Sequence, residues 1–134
     1  ARSAAKILFT GAVPNSALSE HYHSCDLYAA TADRTNLSQS VLEALCYGVP
    51  VVALNTGRTA DLIRDGVNGR LVEPGDSRGL REVIAQILAD GELLGRLSRG
   101  ALATAAETIP EVEERIAAEA DLFQSLTAGK RGKD

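Results

Sequence analysis

The stretch NLSQSVLEALCYGVPVVA, residues 36–53, decides the fold. It reads as a loop, a short amphipathic helix, a glycine stop and a buried strand. On a helical wheel Val41, Leu42, Leu45 and Cys46 share one face, which predicts the packed side of the helix. Glu43 falls beyond the edge of that stripe, on a face with Gln39, Ser40 and Tyr47. A carboxylate in the second turn, beside polar neighbours and turned from the core, is available to a ligand. The plainer alternative is a solvated surface residue in an ordinary βα unit. The helix start, near residues 38–40, offers unpaired backbone N–H groups and a positive dipole end, which suit an anion. Tyr47-Gly48 closes the helix, with Gly48 able to take the left-handed cap. VPVVAL, residues 49–54, follows as an all-apolar strand of the kind buried on both faces of a parallel sheet.

Working outward, KILFT (6–10) predicts a first strand, 27–31 a second and 70–72 a fourth, after the one at 49–54. A helix begins near Ser16, with Leu18, Tyr22 and Cys25 at apolar spacing. A brief helix over 59–64 is stopped by Asp65-Gly66 and by the turn at Asn68-Gly69. Asp76 or Ser77 caps a longer helix in which Leu80, Val83, Ile84, Ile87 and Leu88 repeat. Asp90-Gly91 breaks it, a further helix covers 93–106, and Pro110 opens another to about 126, with Glu111, Glu113 and Glu114 as its acidic start. Strands alternating with helices predict an α/β fold with a Rossmann-like parallel sheet and flanking helices. Such sheets bind ligands beyond the strand carboxyl ends, where the loop 32–38 falls. Residues 1–127 form one domain in this reading, and 128–134 a disordered polar tail.

Composition narrows the class. The 134 residues carry a net charge of −4, which argues against a nucleic-acid partner. No apolar run approaches the roughly 18 residues that span a membrane, and the expectation is a cytoplasmic protein. Cys25 and Cys46 form no disulfide framework, and both are expected as buried free thiols. His21, His23 and Cys25 sit two apart, a spacing that points helix side chains in different directions, so no metal site is expected. The lysines and arginine of 130–133 read as a solubilising tail.

Residues 36–53 resemble the donor-site segment of retaining family 4, or group 1, glycosyltransferases of the GT-B fold. That pattern is a glutamate, seven residues, a second glutamate, Ala, a small apolar pair, Gly, any residue, Pro, Val, Val, Ala. The flanks FTGAV (9–13), HSCDLY (23–28) and TGRTADLIRDGVNGRLVEPGD (56–76) resemble it too, in order and spacing. The resemblance implies a partial GT-B carboxyl-terminal domain, lacking its first two strands, the upstream basic diphosphate-binding segment and the N-terminal acceptor domain. It implies transfer of a sugar from a nucleoside diphosphate sugar (UDP- or GDP-sugar) to an acceptor hydroxyl with retention, without a cofactor or metal. The fragment alone is then expected to be inactive, and the full-length protein to be cytoplasmic or peripheral to a membrane.

By the same resemblance, Glu43 accepts hydrogen bonds from the donor ribose, which suits an ionised carboxylate facing a diol. Asn36, Leu37, Ser38 and Gln39 form the loop whose backbone N–H groups approach sugar and diphosphate. Ala12 and Val13 match positions against the base, although an ordinary strand-to-helix turn explains them equally well. The first glutamate of the pattern falls at Thr35, which carries no charge, with Asp33 two residues away as a substitute if the loop shifts. That departure keeps two other readings open: a nucleotide-sugar epimerase of related fold, and a degenerate, non-catalytic donor-binding module. The parent strand order also leaves a two-strand gap between 6–10 and 27–31. Another part of the enzyme, a second copy or direct pairing of the two edges must fill it, so self-association of the isolated chain is expected.

Overall fold

Val51, Val52 and Ala53 are buried to within 1% and form the centre of the sheet, as an all-apolar strand requires. The computed structural model describes residues 6–31 and 39–128. Its elements run α1 (Asn15–Ser24), β1 (Tyr28–Ala30), α2 (Gln39–Cys46), β2 (Val51–Leu54), α3 (Thr59–Leu62), β3 (Gly69–Val72), α4 (Ser77–Ala89) and α5 (Gly91–Ala128). The three strands are parallel in the order β1-β2-β3, with Tyr28 opposite Val51 and Val51 opposite Gly69. Alternate residues of β2 feed two cores. Val51 and Ala53 join Tyr22, Val41, Ala44, Leu45, Leu62, Ile63, Ala101 and Ala105. On the other face Val52 meets Val72, Ile87, Leu93 and Leu97. The result is a Rossmann-like sheet flanked by helices, as the alternation predicts.

The expected strand over 6–10 is not formed. Ile7, Leu8 and Phe9 are 76%, 76% and 92% exposed, and no ladder joins them to β1 or to any other described strand. A strand exists only as one half of a ladder, so an apolar run without a partner stays irregular. Direct pairing of the two edges, one of the three ways to fill the gap, does not occur here.

The expected break before Pro110 is also absent. α5 is one helix of 38 residues, and Glu111, Glu113 and Glu114 therefore lie within it rather than at a start. Proline removes one N–H donor, which would have bonded to the carbonyl of Ala106. Ala106 is exposed, so that carbonyl can be solvated, and the helix carries the loss. The boundary between α4 and α5 falls as predicted. Asp76 caps α4 by accepting from the Gly79 N–H at 2.8 Å. Asp90 starts α5 by accepting from the N–H groups of Glu92 and Leu93, each at 3.0 Å.

The wheel for α2 is shifted from its expected phase. Val41, Ala44 and Leu45 are buried, Leu42 is half-buried and Cys46 is exposed. Each residue turns the helix by about 100°, so Cys46 is carried off a stripe centred between Val41 and Leu45. The thiols are accordingly not a buried pair: Cys25 is half-buried and Cys46 is exposed. Gly48 ends α2 at φ +70°, and a side chain there would press on Leu102 of α5.

The turn from α3 to β3 is locked by Asn68, which is 0% exposed. Its Nδ2 donates to the Leu62 carbonyl at 2.9 Å and to Thr104 Oγ1 at 3.0 Å, and its Oδ1 accepts from the Arg64 N–H at 2.8 Å. Gly100 allows this approach, because a Cβ there would run into the Val67 carbonyl. Among the described residues no helix is long and apolar enough to cross a membrane. Of the polar tail expected over 128–134, Ala128 is the last residue of α5 and residues 129–134 lie outside the described residues.

Candidate functional site

In a parallel sheet the helix that follows a strand begins near that strand's carboxyl end, which places α2 beside the end of β1. Its half-buried Glu43 is met from two sides. Tyr22 of α1 donates from its hydroxyl to Glu43 Oε2 at 3.1 Å, and Gln39, one turn earlier on α2, donates from Nε2 to Oε1 at 3.2 Å. The same Tyr22 hydroxyl lies 3.3 Å from the Ser40 carbonyl, and Tyr28 donates to Ser40 Oγ at 2.9 Å. Burial, then the bond to Glu43 and its negative charge, pushes the Tyr22 phenol far above its ordinary range, so it remains a neutral donor. A carboxylate offers about four acceptor sites, of which the contacts among the described residues use two. The remaining lone pairs on a half-buried group can accept from a ligand.

Of the expected site residues, the structure brings Glu43 and Gln39 together. Ala12 is exposed and Val13 half-buried, both in the irregular segment that leads into α1. No hydrogen bond described here links either of them to Glu43 or Gln39. Thr35, Asn36, Leu37 and Ser38 lie outside the described residues, as does Asp33. At the carboxyl ends of β1 and β2, an open hollow of about 170 Å³ is lined by Thr31, Leu54, Gly75, Asp76, Ser77 and Leu80.

Tyr22 is the functional candidate that the sequence reading missed. Its spacing marked it as apolar core, which is half of its role. The other half follows from its chemistry, since a buried tyrosine hydroxyl usually has a hydrogen-bond partner. His21 and His23 are exposed on α1. His23 donates from Nδ1 to the Ser19 carbonyl at 2.7 Å and packs edge-on against Tyr47 at 4.9 Å. Among the described residues no three His, Cys, Asp or Glu side chains gather closely enough to hold a metal ion.

A parallel three-stranded sheet with flanking helices defines a Rossmann-like α/β domain. The comparisons narrow this class. Residues 2–103, well over half of the chain, match the family described as glycosyl transferases group 1, and the chain belongs to that family. It is 37% identical over 82 residues to a D-inositol 3-phosphate glycosyltransferase of Geodermatophilus obscurus, a match covering 61% of this chain and 18% of the relative. It is 32% identical over 83 residues to a GDP-mannose-dependent alpha-mannosyltransferase of Corynebacterium glutamicum, covering 62% and 20%. Among solved structures it is similar to Anabaena Alr3699/HepE in complex with UDP-glucose, at TM-score 0.68 and 28% identity over 76% of this chain and 29% of that one. The chain thus spans about a fifth of the length of the curated relatives it matches.

Proposed function

We propose that these residues form the donor-nucleotide half of a retaining glycosyltransferase, one that binds a nucleoside diphosphate sugar and passes the sugar to an acceptor hydroxyl. The observation that carries this reading is the Glu43 carboxylate, half-buried and braced at both oxygens in a chain of this family. In the proposal its free lone pairs accept from the ribose diol of the donor. In the same proposal the backbone N–H groups of Asn36, Leu37, Ser38 and Gln39 take the sugar and diphosphate, offsetting their negative charge. Ala12 and Val13 flank the base, and Thr35 stands beside the departing sugar. The chemistry needs no resident cofactor or metal. A UDP-sugar is supported by the UDP-glucose complex of Anabaena HepE, and a GDP-sugar by the name of the Corynebacterium relative.

Residues 1–127 constitute the working domain in this reading, the acceptor domain lies elsewhere in a longer polypeptide, and the enzyme works in the cytoplasm. Alone, the 134 residues do not transfer sugar. They self-associate through the exposed Ile7-Leu8-Phe9 run and the open edge of β1, which light scattering on dilute samples would register. One second reading has a specific residue behind it. Thr35, in place of a charged group, favours a module that binds the donor without turning it over. Calorimetry with UDP and GDP on the full-length protein, paired with a transfer assay, tests both. Binding with transfer supports the enzyme, binding without transfer supports the module, and no binding of either nucleotide refutes both.

A further inference from the structure

Tyr22 is 8% exposed, and its ring is fixed on two sides. It stacks on Tyr47 with centroids 5.3 Å apart and 14° between planes, and lies tilted against Tyr28 at 6.3 Å. All three tyrosines of the chain therefore converge on the short helix α2. The bond from Tyr22 to Glu43 crosses 21 residues of sequence, so it is tertiary: it ties the carboxylate to α1, whereas Gln39 belongs to α2 itself. A buried phenol could satisfy itself on the Ser40 carbonyl alone, 3.3 Å away, yet the carboxylate oxygen is closer at 3.1 Å.

We propose that Tyr22 is a positioning residue, whose hydroxyl fixes the Glu43 carboxylate in the orientation that accepts the two vicinal hydroxyls of the donor ribose. This rests on the reading of Glu43 given above. Without the hydroxyl, Glu43 keeps its contact with Gln39 but loses its anchor to α1. The carboxylate must then be ordered when the nucleotide binds, and ordering a free side chain weakens affinity. The phenol stays protonated below the alkaline range, so the anchor is permanent under working conditions.

Tyr22→Phe removes one oxygen and keeps the ring. UDP, GDP and their 2′-deoxy counterparts are titrated by calorimetry into the full-length protein, into Tyr22→Phe, into Glu43→Gln and into the double variant. The expected result is a preference of the unaltered protein for the ribonucleotide, which Glu43→Gln abolishes. Tyr22→Phe should weaken the ribonucleotide about three- to tenfold, the loss of one hydrogen bond to a positioned group, and move the 2′-deoxy form less than about twofold. In the double variant it should add nothing to Glu43→Gln. A Tyr22→Phe protein with an unchanged ribose preference, while Glu43→Gln abolishes it, overturns the role of Tyr22 and leaves that of Glu43 standing. Retention of the preference in Glu43→Gln removes the reading of Glu43 and this inference with it. Equal weakening of both sugar forms, or loss of folding in Tyr22→Phe, makes the hydroxyl structural and also overturns the proposal.

Discussion

Two polar clusters on opposite sides of β2 in the sequence make a useful contrast. Asn68 is wholly buried, and its side chain donates twice and accepts once, always to groups of the fold itself. Glu43 is half-buried and, among the described residues, receives one bond on each oxygen, two of about four acceptor sites. A polar group whose partners are all internal belongs to folding. A charged group braced by the fold with acceptor sites to spare among the described residues is, in the proposal above, a group for a ligand. Burial and spare capacity, taken together, separate the two roles where residue type alone does not.

The largest effect that can break this contrast is on the folding side. Asn68→Ala should cost about 2–4 kcal/mol, because it strands the Leu62 carbonyl, the Arg64 N–H and the Thr104 hydroxyl in a buried turn. A thermal melt should fall by roughly 10 °C or more. Ribose preference in nucleotide binding should survive at temperatures where the variant is folded. An unchanged melt would mean that the turn is held by other contacts. Thr104→Val sharpens the same point with a near-isosteric change. It removes the acceptor at 3.0 Å from Asn68 and the bond of Thr104 to the Gly100 carbonyl at 2.9 Å, and should cost about 1 kcal/mol by denaturant titration.

The smallest effect distinguishes the clusters by pH, since only the Glu43 cluster contains groups that titrate. The folded state raises the Tyr22 pKa, so it holds that proton more tightly than the unfolded chain does. The associated stability is present below the ordinary tyrosine value of about 10 and is lost as pH rises beyond it. Melting temperatures between mild and strong alkali should fall, with a shallower slope in Tyr22→Phe. An equal slope in both proteins would show that Tyr22 ionises as an exposed phenol does.

Most of this architecture is legible in the sequence. β2 announces itself by continuous apolarity, α2 by its stripe and glycine stop, the start of α4 by Asp76, and the join between α4 and α5 by Asp90 and Gly91. What escaped has a physical cause in each case. Residues 6–10 have the composition of a strand, but pairing is a property of two segments, and composition describes one. Pro110 reads as a helix boundary by local rules, yet a single missing donor over an exposed carbonyl does not outweigh the helix on either side. Cys46 was misplaced by taking the stripe of α2 one residue too far round. At the site, Glu43 stands out as the single charge on α2. Its brace does not, because Tyr22 fits its apolar spacing perfectly well and its hydroxyl finds Glu43 only through the packing of α1 on α2.

The central claim is that Glu43 is held by the fold for a nucleotide and not for the fold. Calorimetric titration of UDP and GDP into full-length protein carrying Glu43→Gln, with a melting curve on the same sample, tests it most directly. The account predicts binding weaker by about 1–3 kcal/mol for whichever nucleotide the unaltered protein binds, the range for hydrogen bonds to a charged group, and a melting curve that shifts by only a few degrees. An unchanged dissociation constant, or a collapse of the fold, would contradict it.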